Sequence, residues 1–324
     1  MSALVGILRL WRGGTPVVPL PDLWRLAGVP LLAILAFLFA WSRVSATVET
    51  SLGQIPGPVA VWRQAGNLWA EHQAERGRAA VFYERQAQRN ARLRADNPRA
   101  AVTNLTYTGK PTYLDQIVTS LKTVFAGFLL ASLAAVPLGI LCGLSKTINA
   151  GMNPFIQIFR PVSPLAWLPI VTMMVSATYV SADPIFQKSF INSAITVSLC
   201  SLWPTLINTA LGVSSIDRDL MNVARVLRLK WTTTLFKVIV PASLPLIFTG
   251  LRLSLGVGWM VLIAAEMLAQ NPGLGKFVWD EFQNGSSDSL GRIMVAVFTI
   301  GIIGFLLDRV MLALHQLVDF GSRR

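Results

Sequence analysis

Acidic residues are scarce. The chain of 324 residues has 16 Asp and Glu against 28 Lys and Arg, and only 14% of its residues are charged. A soluble domain of this size carries about one quarter. Cysteine and histidine are scarcer still, at two each. Cys142 and Cys200 both fall inside apolar runs, so no disulfide framework is written here. His72 and His315 stand far apart with no cysteine at ligand spacing, so no metal site is expected. Gly273-Leu274-Gly275-Lys276 lacks the spacing of a phosphate-binding loop, and the chain is not expected to bind or hydrolyse ATP by itself. No convergent His, Cys or acidic constellation suits a membrane enzyme. The net charge of +12 is dispersed and comes with no nucleic-acid-binding motif; anionic lipid headgroups and topology account for it.

Apolar sequence is abundant. Hydrophobic residues make up 53% of the chain, in runs of about 20 residues, long enough at about 1.5 Å per residue to cross a hydrocarbon core of about 30 Å. The reading is an all-α polytopic membrane protein with spans near 26–44, 123–144, 161–180, 190–213, 242–268 and 292–314. Residues 1–46 form a leader, with Arg9, Arg12 and an N-cap at Asp22, and the first span. Val44-Ser45-Ala46 mimics a signal-peptidase site, but the region ahead of the apolar run is long for a signal, and a retained span is expected.

Residues 47–112 are a polar insertion. A linker with Gly53, Pro56, Gly57 and Pro58 leads into a helical pattern over 61–96, where Trp62, Ala65, Trp69, Ala80, Tyr83, Ala87 and Ala91 recur among Arg76, Arg78, Arg85, Arg89, Arg92 and Arg94. It reads either as a solvated helix against the membrane surface or as an extracytoplasmic platform for a partner protein or an anionic solute.

Residues 113–324 form the core. An interfacial entry helix is expected at 113–121, then a span whose Ala131, Ala134, Ala135 and Gly139 make a small-residue face for close packing. Residues 149–160 read as a connector. Pro161, Pro164 and Pro169 break regular helix, leaving either a packing kink or a pathway wall with Pro164, Trp167 and Pro169 in it. Asn208 on the fourth span and Trp259 on the fifth join these as candidate pathway residues. Arg252, about ten residues into the fifth span, either pairs with Asp308 at comparable depth in the sixth or takes part directly in anion passage. Residues 271–275 read as a tight outer turn, with Asp280, Glu281 and Asp288 in a hydrated loop after it. Lys146, Arg160, Arg218, Arg225, Arg228, Lys230, Lys237 and Arg323 fall on one side with Arg9 and Arg12; the short opposite loops hold only Lys188 and Lys276. The positive-inside rule puts both termini in the cytoplasm.

Between the fourth and fifth spans lies 222–241, NVARVLRLKWTTTLFKVIVP. Val223, Val226, Leu227 and Leu235 recur at helical spacing among Arg225, Arg228, Lys230 and Lys237. The weaker helix formers of 231–234 are expected to interrupt the run and Pro241 to stop it. A helix–turn–helix of this size cannot cross a bilayer. It resembles the EAA loop of ABC-transporter permeases, with Asn222, Val223 and Ala224 in the Glu-Ala-Ala places, Arg228 in the glycine place and Val240-Pro241 at the end. Arg160 through Pro169, Asn208 through Gly212, Pro245 through Arg252 with Gly258-Trp259, Glu266 through Gly275, and Leu307-Asp308-Arg309 are similar to permeases for nitrate, sulfonate, taurine and bicarbonate, with the loop nearest the nitrate type. The resemblance implies a six-span importer permease of the type I, MetI-like kind. Its implied partners are a second permease copy, two ATPase subunits holding ATP and Mg, and a periplasmic solute-binding protein, in a bacterial inner membrane. It also implies that Asn222, Ala224, Arg225, Leu227, Arg228, Leu229, Lys230 and Pro241 couple to the ATPase. The solutes compatible with it are nitrate or nitrite, bicarbonate, taurine and alkanesulfonates. An ion-gradient-driven anion transporter is the rival class; it would be expected to carry intramembrane acids, and only Glu266 and Asp308 qualify.

Overall fold

The computed structural model describes residues 24–50, 53–97, 102, 104–180, 186–286 and 288–322. Arg9, Arg12, Asp22, Arg323 and part of the 182–189 turn lie outside the described residues.

An apolar segment closes its own backbone hydrogen bonds by becoming a helix, the only economical course in hydrocarbon, and the described chain is nearly all helix. A π-helical turn at Trp24–Gly28 opens α1, Val29–Thr47, which is apolar and exposed along most of its length. A ladder of two residues per strand, Glu49–Thr50 against Gly53–Gln54, turns the chain into α2, Pro58–Asp96. The order continues with α3 (Tyr113–Leu144), α4 (Lys146–Phe159), α5 (Pro164–Thr178), α6 (Lys188–Ser214), α7 (Arg218–Val226), α8 (Trp231–Thr234), α9 (Val240–Ala269), α10 (Leu274–Asn284) and α11 (Ser289–Ser322). Among the described residues, five helices are long and apolar enough to cross a membrane: Val29–Thr47, Tyr113–Leu144, Lys188–Ser214, Trp231–Ala269 and Ser289–Leu317.

The sixth expected span differs. Residues 146–178 form two helices bent by 101° rather than a connector followed by a straight span. Arg160 is still helical, with φ of −57° and ψ of −43°, but Pro161 supplies no N–H to carry α4 further; Ser163 then caps the next helix, its Oγ accepting from the Leu165 amide at 3.3 Å, with Pro164 in its first turn.

At the centre α6 packs between α3 and α9. Side chains at Gly127, Gly139 and Gly143 of α3 would stand 2.7–2.8 Å from the carbonyls of Ala194, Leu206 and Ala210 on α6, so only glycine permits this approach. Ala131 and Ala135 are buried in the same seam, while Ala134 faces outward and is not part of it. Val124, Val197, Leu206 and Leu262 are fully buried around this axis.

Two local expectations are overturned. The entry helix and second span are one helix, started by a capping box between Thr112 and Asp115. Neither residues 231–234 nor Pro241 interrupts the chain after the loop, for Trp231–Ala269 runs on as 39 residues. A π-turn over Leu235–Ile239, with the Val240 amide bonded to the Leu235 carbonyl, admits the proline without a break.

Candidate functional site

The 217–230 loop is built by its caps. Asp217 accepts from the Asp219 amide at 2.9 Å and starts α7. The helix ends in a Schellman motif: the Arg228 amide bonds Arg225 O at 2.9 Å and the Leu229 amide bonds Ala224 O at 3.1 Å. The αL residue such a motif needs is Arg228, with φ of 48°. A glycine would sit there without cost, and the sequence resemblance marks that very place as glycine. Arg228→Gly is therefore expected to hold or raise the melting temperature, whereas Arg228→Val should cost about 1–2 kcal/mol. Equal melting temperatures for the two variants would refute this.

The cap divides the loop into two faces. Ala224 is buried and Leu229 half-buried against the body of the protein. Val226 is 81% exposed and Leu227 62% exposed, with Leu220, Val223, Trp231 and Phe236 also exposed. Arg225, Lys230 and Arg228 are exposed beside them, and Arg225 reaches Asn222 Oδ1 at 3.4 Å. Pro241 is the second residue of α9, away from the tip.

The expected pathway residues separate. Pro164 and Trp167 lie in the first turns of α5 at the bend, and Pro169 is exposed further along. Asn208 donates to its own helix at Pro204 O, 2.8 Å away. Trp259 is buried, donates to Ile300 O at 3.0 Å and packs on Gly304, so it joins α9 to α11. Arg252 holds Asp308 through two hydrogen bonds of 2.5 and 2.9 Å, and Arg309 also donates to Asp308. The pair borders a cleft of about 670 Å³ that also includes His315.

Glu266 has a role the sequence reading missed. It is fully buried and accepts from Ser120 Oγ at 2.8 and 2.9 Å and from the Gly275 amide at 3.0 Å. Ser120 Oγ in turn accepts from the Leu274 amide at 2.8 Å, and Asn271 donates to Thr123 Oγ1 at 3.1 Å. One carboxylate thus ties α3, α9 and the 271–275 turn. The available signal was the pairing of a span-end acid with a glycine-rich turn a few residues on.

Nor is 276–288 a hydrated loop. It folds as α10, where Glu281 is buried, accepts from Ser289 Oγ at 2.8 Å and pairs with Arg292 at 3.3 Å. Arg292 also pairs with Glu71, Gln64 donates to Asp288 at 2.7 Å, His72 bonds Thr112, and Arg76 pairs with Asp115. These bonds fasten the first half of α2 to the ends of α3, α10 and α11. Its second half is backed by the return segment, where the Leu105 amide donates to Gln86 and the Tyr107 amide to Tyr83; nearer the middle of α2, the Tyr107 hydroxyl donates to Glu75 at 2.7 Å. That bond holds the Glu75 carboxyl below its ordinary value and raises the Tyr107 phenol. A lowered folded-state value stabilises above about pH 4.5 and is lost as pH falls through it. Protease protection of 104–110 should therefore fade in acid, and the midpoint should move up in Tyr107→Phe. An unmoved midpoint would exclude this bond as the cause.

Together, an apolar bundle with a bent helix pair and an exposed basic loop between two spans define a membrane-embedded permease. Residues 135–323 match the family model described as the binding-protein-dependent transport system inner membrane component, and the chain belongs to that family of ABC-transporter permeases. It is 36% identical over 208 residues to the nitrate import permease protein NrtB of Synechococcus elongatus, covering 64% of this chain and 71% of that protein. It is 35% identical over 301 residues to the bicarbonate transport system permease protein CmpB of the same organism, covering 88% of each. The CmpB of Synechocystis is 32% identical over 94% of both chains, a span too long to omit 47–112. The inward-facing MetNI methionine ABC transporter structure shares the fold, with a TM-score of 0.52 at 14% identity over 64% of this chain and 95% of that one.

Proposed function

We propose that this chain is the translocating subunit of an ATP-driven bacterial importer for a small inorganic anion, and that the anion is nitrate. In this reading two copies pair in the inner membrane with both termini cytoplasmic. Two ATPase subunits, which hold the ATP and Mg, dock on the 217–230 loops. A solute-binding protein approaches from the opposite side, where α2 lies. The observation that carries the reading is the two-faced loop: Ala224 and Leu229 packed inward, Leu227 and Val226 presented outward between arginines. Movement of the ATPases on binding ATP pulls these loops and biases the bundle between two states, the ligand acting through its different affinity for each.

The Asn222-Val223-Ala224 form of the loop and the similarity to nitrate permeases favour nitrate. Bicarbonate is the second reading, favoured by the longer alignment with bicarbonate permeases. A gradient-driven carrier has less support, because Glu266 is held by Ser120 and Gly275 and Asp308 by Arg252. The test is ATP hydrolysis and uptake by the complex in liposomes with its binding protein. Stimulation by nitrate and not bicarbonate supports the reading, the reverse replaces the solute, and no co-purifying ATPase refutes the importer.

A further inference from the structure

Arg252 is the intramembrane cation that the sequence singles out, yet Asp308 neutralises it. A second arginine is not so engaged. Arg160 sits at the bend between α4 and α5, and no ion pair engages it among the described residues. It ends a polar stripe on α4, Asn149, Asn153, Gln157 and Arg160, which recurs at helical spacing and so occupies one face. That stripe lines a cleft of about 380 Å³ whose other wall is the end of α6 nearest the 217–230 loop, from Leu206 to Ser214. The lining includes one cation and no acid.

The orientation of α4 is informative. A helix resting on a membrane surface turns its apolar side to the protein or lipid core and its polar side to water. In α4 the apolar residues Ile148, Phe155 and Ile158 are exposed on one side, and the polar stripe, itself open to solvent, lines the cleft on the other. Polar groups placed this way in a bundle line water-filled routes. At the bend, Phe159 packs its ring 5.8 Å from Trp167 and 6.4 Å from Trp203, and the indole N–H of each tryptophan is buried with no acceptor. Trp203 is 91% buried as a whole. Neither tryptophan lines the cleft, so the polar groups an anion there would meet are Arg160, Asn149, Asn153, Gln157 and Ser214. The first turn of α5, with its positive dipole end, begins at the same bend.

We propose that the cleft between α4 and α6 is a binding station for the anion in transit, with Arg160 meeting its charge and the amides of Asn153 and Gln157 its oxygen atoms. The inference rests on the anion-importer reading above. Pairing a charge removal with a charge insertion separates this role from that of a structural arginine. Uptake of labelled nitrate and of bicarbonate per ATP hydrolysed would be measured for the full complex in liposomes, as wild type, Arg160→Gln, Arg160→Lys and Gln157→Glu. Arg160→Gln and Gln157→Glu should each lower the anion moved per ATP by about tenfold or more, and Arg160→Lys should retain a substantial part. Wild-type ratios in both Arg160→Gln and Gln157→Glu would overturn the station. So would loss in Arg160→Gln and Arg160→Lys alike with Gln157→Glu unaffected, which marks Arg160 as structural. A wild-type complex that moves neither anion would instead sink the importer reading, and the station with it.

Discussion

Glu266→Ala is expected to destabilise the protein by about 3–5 kcal/mol, because it strips acceptors from buried donors and opens a cavity at once. The carboxylate accepts from Ser120 Oγ and from the Gly275 amide, and both groups lie where water does not reach. Each orphaned donor costs about 1–3 kcal/mol. Glu266→Gln keeps the shape and one acceptor oxygen, so its loss should be smaller. Gly275→Ala should approach the alanine variant of Glu266 in severity for a different reason: a methyl there collides with the backbone carbonyl of Ile263, which has no flexible end to move aside. Thermal unfolding in detergent, read by the shift in melting temperature, checks all three. A Gly275→Ala protein as stable as wild type would show that the 271–275 turn is not clamped as described.

Leu227→Asp is expected to abolish ATP-driven transport while the chain still inserts and folds. Leu227 is 62% exposed and follows the last residue of α7, so an aspartate there disturbs no packing within the permease. It would place a charge in the centre of the apolar face that the proposed ATPase cleft receives, where an unpaired charge costs several kcal/mol. Ala224→Leu tests the inner face, since Ala224 is buried and a larger side chain must displace the body of the protein. Co-purification of the ATPase separates the two. Leu227→Asp should lose the ATPase from an otherwise normal protein, and Ala224→Leu should lower stability first. Normal transport by Leu227→Asp would remove the loop from the coupling machinery.

Much of this protein was legible in its residues. Apolar runs with hydrogen-bonding needs met only inside helices specify spans, and five of the expected six correspond to long apolar helices. The Arg252–Asp308 pair was legible for a similar reason: two opposite charges at matched depth in hydrocarbon have nowhere else to go. The glycine place of the loop could be read too, and the structure gives its cause in the αL conformation of Arg228.

Other features came only with the tertiary structure. Periodicity along one helix does not state which neighbour it meets, so a burial-neutral glutamate at a span end gave no sign that Ser120, 146 positions earlier, would donate to it. The same holds for Trp259, whose indole N–H donates to Ile300 O of α11. Proline marks where a helix is stressed but leaves open whether it stops, kinks or continues. Pro161 ends a helix because its neighbour Ser163 caps a new one, whereas Pro241 is carried through by a π-turn. Composition and hydrogen-bond chemistry thus determined that the chain is a bundle of membrane helices with one basic loop. Packing alone decided which polar groups are sealed by partners and which, at the bend after α4, are left facing a cleft.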